Sequence, residues 1–241
     1  MGGRIYRPEA SGVALLELPE VGRLHVGMKS DKGYPMSIDW FRATGKYSAL
    51  FVKALGEKPS TIKIVFPSDD AGKVCNERYE YRDDKGALVA RGDGQVFEIW
   101  DGRRYAPYSV EQYPDIVSQI TAKNPTKRTK GGEDNWDVVL TLRFVVPAVR
   151  GVVGVWQFST KGKASSVRNI RESFDAVQRM RGTVTGTVFD LSVQFAKSNK
   201  PGVNSRYPVV SLVANDNRIE EIREAMSQRQ NLSLLLQSGE K

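Results

Sequence analysis

Short segments in which apolar and polar residues alternate recur along the chain, and they limit its fold more than any other feature. The clearest is STIKIVFPS at residues 60–68, and further segments lie at residues 187–196 and 206–215. Because successive side chains of a strand point to opposite faces, this alternation predicts half-buried β-strands. The turn signal DDKG at residues 83–86 separates two β-rich runs and predicts a hairpin.

Helical periodicity appears in fewer places. Residues 47–55 form a short amphipathic pattern, and residues 216–237 form a charged one. A further helix, beginning near residue 165, places four apolar side chains on one face: Val167, Ile170, Phe174 and Val177. The sequence therefore predicts an α+β protein of antiparallel β-sheets or small β-barrel-like units, with about three helices including a C-terminal helix.

Composition divides the chain into five parts. We expect a flexible N-terminal segment over residues 1–20 and a β-rich N-terminal region over 21–115. A basic loop or linker over 116–135 then precedes a basic α+β region over 136–215, and a C-terminal helix and tail occupy 216–241. The sequence contains neither the apolar run of a membrane helix nor a secretory signal, so we expect a cytoplasmic protein without membrane contact.

The excess of positive charge is concentrated in one part of the chain. Residues 116–215 carry 15 Lys and Arg against 6 Asp and Glu, whereas residues 1–115 carry 17 of each. This concentration favours a surface for a polyanion, although basic residues spread around a solvated surface are the alternative. The candidate nucleic-acid-binding residues are Lys123, Lys127, Arg128, Lys130, Lys161, Lys163, Arg168 and Arg171.

Aromatic residues beside cations suggest a second component of such a surface. Bases that stack on aromatic rings, next to cations that neutralise the backbone, are typical of single-strand-binding proteins. The stacking candidates are Trp40, Tyr79, Tyr105 and Trp156. For Trp156 we favour the alternative of a place in the core, because it shares one strand face with Phe158.

The sequence gives little support to catalysis. One cysteine, Cys75, and one histidine, His25, cannot form an intrachain disulfide or a zinc site made of Cys and His ligands. The acidic pairs at residues 69–70 and 83–84 could bind a divalent metal in a nuclease, but both lie at predicted turns. We expect no enzymatic activity, no metal and no cofactor.

Two stretches of the sequence resemble a known family. The first, within residues 22–94, has Asp39 before the aromatic pair Trp40 and Phe41, then a GEKP turn, the strand end IVFPSDD and a closing RGDG. The second, residues 154–193, leads from a strand with an aromatic residue through a Ser/Thr turn to a helix and a glycine-broken strand. Together they resemble the recombination directionality factor-like family of phages and integrative elements, over roughly residues 22–215.

This resemblance implies an accessory protein of a phage or mobile element. Such a factor binds a large serine integrase and turns it from integration to excision, touching DNA directly or through the integrase, without chemistry of its own. Many relatives lie among replication genes, which leaves open a single-stranded-DNA-binding or annealing protein of phage replication. A metal-dependent nuclease or phosphoesterase is the third alternative.

The predicted C-terminal helix is the candidate contact for the integrase. Ile219, Ile222 and Met226 are spaced by three and four residues and would form one apolar stripe. Such a stripe suits a hydrophobic groove on a partner, and packing against the chain's own domain is the alternative.

Overall fold

The computed structural model describes residues 18–124, 126, 136–197 and 205–215, with only the backbone of Lys163 and Ala164. The strands are β1 (Glu20–Lys29), β2 (Pro35–Thr44), β3 (Thr61–Val65), β4 (Cys75–Arg82), β5 (Leu88–Gly92), β6 (Val96–Trp100), β7 (Tyr105–Ser109), β8 (Trp136–Phe144), β9 (Val155–Thr160), β10 (Val188–Lys197) and β11 (Arg206–Ala214). The helices are α1 (Ser48–Leu55), α2 (Ala71–Val74), α3 (Ile116–Lys123) and α4 (Arg168–Arg181), which follows a π-helical turn (Lys163–Val167). The predicted C-terminal helix lies outside the described residues.

The strands form two open sheets. The larger has eight strands in the order β2-β1-β9-β8-β4-β5-β6-β7, and the smaller has three in the order β11-β10-β3. All neighbouring strands are antiparallel except β1 and β9, which are parallel. The α+β class and its antiparallel sheets are therefore confirmed, and within the described residues neither sheet closes into a barrel.

One large core lies between the two sheets and α4. The eight-stranded sheet contributes Leu140, Leu142 and Phe144 of β8, and the smaller sheet contributes Phe189 and Leu191 of β10, all fully buried. These residues alternate along their strands, as the sequence predicts for β10. Burial of each such side chain contributes about 1.5–3 kcal/mol, so this layer is the main source of stability.

Helix α4 closes the core with the four apolar residues that the sequence assigns to one face. Val167 lies just before α4, and Ile170, Phe174 and Val177 lie within it; all four are buried. The ring of Phe174 meets Phe66 edge-on at 5.1 Å between centroids. The helix ends at Gly182, whose φ of 74° is the left-handed conformation common after a helix.

Strand β2 is an element that alternation does not predict. Its buried residues Ile38 and Phe41 are three positions apart, which does not fit a regular strand. The pairing with β1 changes from His25 opposite Arg42 to Gly27 opposite Ser37, so β2 contains a bulge of three extra residues. The bulge turns both apolar side chains inward, so apolar and polar residues no longer alternate with a period of two along β2.

A second, smaller core covers the other half of the large sheet. Its buried members come from β4, β5, β6 and α3: Tyr81, Ala90, Phe97, Ile116 and Ile120. We predicted a loop or linker over residues 116–135, but the first eight of these residues form α3. Ile116 and Ile120 lie one turn apart, so both can cover the sheet.

The residues that carry the resemblance are largely structural. The Asp69 carboxylate accepts hydrogen bonds from the backbone N–H of Val184 at 2.7 Å and of Thr185 at 2.9 Å, and so joins two distant loops. Asp70 caps α2 by accepting from Gly72 N at 2.9 Å. In RGDG, a Cβ at Gly92 would lie 2.4 Å from Val96 O, so only glycine fits.

Candidate functional site

The face of the large sheet that points away from the core is polar over most of its width. Because side chains alternate along each strand, the residues between the core positions share this opposite face. We call the following set the polar face: Glu20, Arg23, His25, Arg42, Arg78, Glu80, Arg82, Arg91, Glu98, Trp100, Tyr105, Asp137, Thr141, Arg143, Gln157, Ser159 and Lys161.

The polar face carries a net positive charge. The polar face contains seven arginine and lysine side chains and four carboxylates. Several cations are paired on the face: Lys161 lies 2.6 Å from Asp137, and Arg91 lies 2.6 Å from Glu98. Arg42 and Arg143 are exposed, and neither has a carboxylate within ion-pair distance in the described part of the chain.

A group of three charged residues lies at the centre of this face, on β4. Glu80 is 2% exposed and accepts hydrogen bonds from Arg78 through Oε1 and from Arg82 through Oε2, the shortest at 2.7 and 2.8 Å. Burial alone would raise the pKa of Glu80, but the hydrogen bonds and charges of Arg82 and Arg78 outweigh it and lower that pKa. One carboxylate thus orients two guanidinium groups and leaves one positive charge uncompensated.

A shallow depression of about 600 Å³ occupies the part of the face crossed by β1, β9, β8 and β4. Its lining includes Arg23, His25, Arg78, Arg82 and Lys161. The uncharged lining offers hydroxyl and amide groups, with Thr141 and Ser159 joined by a 3.0 Å hydrogen bond. Guanidinium groups bind anionic oxygens through two parallel hydrogen bonds, so the depression can hold phosphate or carboxylate groups.

His25 reports the electrostatic environment of this depression. Its Nε2 lies 3.0 Å from Thr44 Oγ1 on the neighbouring strand. Burial lowers the pKa of His25, and the positive charges of Arg42 and Arg23 lower it further. The imidazole is therefore neutral at neutral pH and lies in a region that disfavours additional positive charge.

An aromatic pair extends the polar face to its edge. The rings of Trp100 on β6 and Tyr105 on β7 have centroids 5.2 Å apart, and Trp100 is 46% exposed. The guanidinium of Arg91 lies 4.9 Å from the centroid of the Tyr105 ring. The two ring planes are tilted by 55° to each other, so the pair offers separate aromatic faces, next to a cation, on which a planar ligand can stack.

The structure separates the predicted nucleic-acid-binding cations. Lys161 lies on the polar face, whereas Arg168 and Arg171 lie on α4 and Lys123 ends α3. Lys127, Arg128 and Lys130 fall outside the described residues, as does the side chain of Lys163.

The two α4 arginines are surrounded by carboxylates. Arg168 lies 2.8 Å from Glu172, while Arg171 lies 2.6 Å from Glu77 and 3.7 Å from Asp175. Two positive charges thus meet three negative ones, so this surface attracts a polyanion less than the polar face does.

The stacking candidates also lie in different places. Trp156 is 1% exposed and packs against Phe51, so its assignment as a stacking residue is corrected: its ring is in the core. Tyr79 is 40% exposed but faces the α4 side of the sheet, near Asp93 and Glu77. Trp40 is half-buried, with the Lys58 ammonium 5.1 Å from its ring. Of the four candidates, only Tyr105 belongs to the polar face.

The groups considered for catalysis have structural partners. Asp69 joins two loops, Asp70 caps α2, and the Asp83 carboxylate accepts from the backbone N–H of Lys85 and Ala87 in the predicted hairpin turn. Burial, the largest influence on Cys75, raises the pKa of its thiol to about 12, so the thiolate is scarce at neutral pH. The described residues contain no cluster of His, Cys, Asp and Glu suited to a metal ion.

Sequence reasoning missed most of the polar face because it looked for basic loops and helices. The available signal was the alternation itself: Arg78, Glu80 and Arg82 share one side of β4, as Thr141 and Arg143 share one side of β8. Those polar positions read as solvent-facing residues. Only the strand order shows that they lie side by side.

Comparison with known proteins gives one finding. A family model described as Gp3-like, recombination directionality factor-like, matches residues 21–215. No curated protein matches and no solved structure matches. Among the described residues, no helix has the length and apolar character needed to cross a membrane.

Proposed function

Since the chain belongs to the recombination directionality factor-like family, we propose that it is a phage or mobile-element factor that binds a large serine integrase on DNA and switches the enzyme from integration to excision. The observation that supports this proposal is the match of the family model over residues 21–215. That range includes both cores and, apart from Glu20 at the start of β1, every strand and helix described above. The proposed site of action is the cytoplasm of the bacterial host.

A factor of this kind acts by differential binding. Integration and excision require different arrangements of the same integrase on its sites, and a ligand shifts their populations only if it binds one arrangement more tightly. A shift from 1:99 to 99:1 requires about a 10⁴-fold preference for the favoured arrangement. The chain therefore needs a surface that recognises the excisive complex and no reactive group.

We expect the factor to act without catalysis. The acidic residues that sequence reasoning considered for a metal site instead hold loops, through Asp69, or cap a helix, through Asp70. The single thiol, Cys75, is buried and weakly acidic. These contacts support a binding role over the nuclease or phosphoesterase alternative.

The candidate contact with the integrase remains the segment with Ile219, Ile222 and Met226, which lies outside the described residues. A second candidate is the exposed side of α4, where Met180 is 71% exposed. The exposed Met180 offers an apolar group to a groove on the enzyme.

A recombination assay tests the proposal. The purified chain is added to the large serine integrase encoded by the same element, with plasmids that carry either the two original sites or the two product sites of integration. We expect the chain to raise recombination between the product sites and to lower it between the original sites. Unchanged yields on both plasmids, together with no capture of the integrase by the immobilised chain, would rule out this function.

A further inference from the structure

We infer that the polar face binds single-stranded DNA, with its arginine and lysine side chains on the phosphates and with Trp100 and Tyr105 against the bases. This site goes beyond the proposed contact with an integrase, because it requires no second protein. It also differs from the surface that the charge distribution of the sequence indicates, since five of its seven cations come from strands β1, β2, β4 and β5, outside residues 116–215.

The first support is charge complementarity with a polyanion. The seven cations of the polar face exceed its four carboxylates, and the depression concentrates Arg23, Arg78, Arg82 and Lys161 over four neighbouring strands. Arg42 and Arg143 are exposed on the same face without a carboxylate partner among the described residues. The lowered pKa of His25 agrees with a positive potential at this position.

The second support is the orientation of the donors. Glu80 holds Arg78 and Arg82 at fixed positions by hydrogen bonds of 2.7 and 2.8 Å, so less side-chain freedom is lost when they bind a ligand. Between these arginines and β1, the side chains of Thr141, Gln157 and Ser159 offer neutral donors and acceptors. Sugars and base edges require such groups next to the phosphate contacts.

The third support favours a single strand over a duplex. Base faces are buried by stacking in a duplex, whereas a single strand presents them to aromatic side chains. Trp100 and Tyr105 lie on the polar face next to Arg91, so stacking and phosphate contacts occur on one surface. From β1 to β7 the face spans six strand intervals, about 29 Å, which is enough for several nucleotides.

The test is fluorescence anisotropy with a labelled oligothymidine and a duplex of equal length, using the full chain alone. The double variant Arg42→Gln/Arg143→Gln removes two positive charges from the polar face. Its matched control, Arg168→Gln/Arg179→Gln, removes two from exposed positions on α4. Each lost phosphate contact lowers the slope of log affinity against log salt concentration by about 0.7. The loss of two contacts lowers it by about 1.4, so at 0.1 M salt, with 1 M as the reference, we expect the first variant to bind the single strand about 25-fold more weakly. The control should change affinity less than about threefold.

A second pair of variants tests the aromatic contact. Trp100→Ala should weaken binding by about fivefold or more, the lower limit for the loss of one stacked base. Tyr113→Ala is the control, because Tyr113 is 50% exposed but packs on Tyr108, which shares the opposite face with Phe97. Thermal unfolding of each variant verifies that it folds.

Three results would overturn the inference: no binding of the single strand at low salt, tighter binding of the duplex, or equal weakening by the polar-face and α4 variants. None of these bears on the recombination assay with the integrase. A factor that switches the integrase but binds no DNA would retain the proposed function and lose this site. A chain that binds DNA but leaves recombination unchanged would retain this site and lose the proposed function.

Discussion

Glu80 shows how a single residue organises the polar face. Its carboxylate is almost completely buried between Arg78 and Arg82, so the cost of removing its charge from water is offset by hydrogen bonds to both guanidinium groups. The sequence shows only alternating charges along a strand. That the middle charge is buried depends on the neighbouring strands β8 and β5, whose place beside β4 the sequence does not reveal.

Glu80→Gln should lower the free energy of unfolding at pH 7 by about 2 kcal/mol, because two partly exposed arginines lose their charged acceptor. The lowered pKa of Glu80 gives the sign of the pH dependence. The stabilisation is complete above the ordinary glutamate pKa of about 4.3 and is lost as the pH falls toward the folded-state value. Urea unfolding of both proteins between about pH 7 and pH 3 should therefore show a difference that shrinks with acidity.

Glu98→Gln serves as the control for that measurement. Glu98 makes one ion pair, with Arg91, and its side chain is 43% exposed. The substitution should therefore lower the free energy of unfolding by less than about 1 kcal/mol. Equal losses from the two substitutions would show that burial of Glu80 adds nothing.

His25 offers a direct measurement of the potential on the polar face. Because the chain has a single histidine, its imidazole signals in an NMR titration need no assignment, provided that no histidine tag is present. We expect a pKa below the ordinary value of about 6.5, owing first to burial and then to Arg42 and Arg23. Arg42→Gln should raise that pKa, and an unchanged value would contradict a contribution from this charge.

At the scale of elements, alternation and helical spacing predict strands and helices correctly where those elements are regular. Strands β3, β10 and β11 are regular, and α4 has a complete apolar face, so each follows from its own sequence. β2 was missed because its bulge breaks the period of two. α3 was missed because only Ile116 and Ile120 mark its buried side, within a stretch that reads as loop.

Asp69 joins two elements that are far apart in the chain. Its carboxylate, just after β3, accepts from the backbone and side chains of residues 183–185, just before β10. Burial would raise the pKa of Asp69, but the hydrogen bonds from Thr185, Thr183 and Val184 together lower it. The contact thus fixes the ends of two paired strands.

Asp69→Asn should lower the free energy of unfolding at pH 7 by about 1 kcal/mol, at the low end for hydrogen bonds to a charged group because the carboxylate remains in contact with water. Since the folded-state pKa is lowered, the effect should disappear as the pH falls below the ordinary aspartate value of about 3.9. Thermal unfolding at several pH values measures this difference. Asp101→Asn, which removes a local turn carboxylate near the tip of the β6–β7 hairpin, is the comparison.

At the scale of the whole molecule, the two faces of the large sheet have separate tasks. One face builds both cores, and the other carries the polar face. The residues by which the family can be identified, such as Asp69, Asp70 and Gly92, serve the first task. Sequence therefore reveals the family and the fold class well, whereas the candidate site arises from residues of all eight strands of the large sheet, which only the strand order brings together.

The parallel pairing of β1 with β9 also has a consequence for synthesis on the ribosome. Glu20 lies opposite Val155, so the first hairpin has no neighbour in the sheet until more than half of the chain has emerged. Contacts between such distant residues form late, because a long loop must close first. The nascent hairpin β1–β2 therefore lacks its partner strand during this time, and the sheet becomes complete only when β9 inserts between β1 and β8.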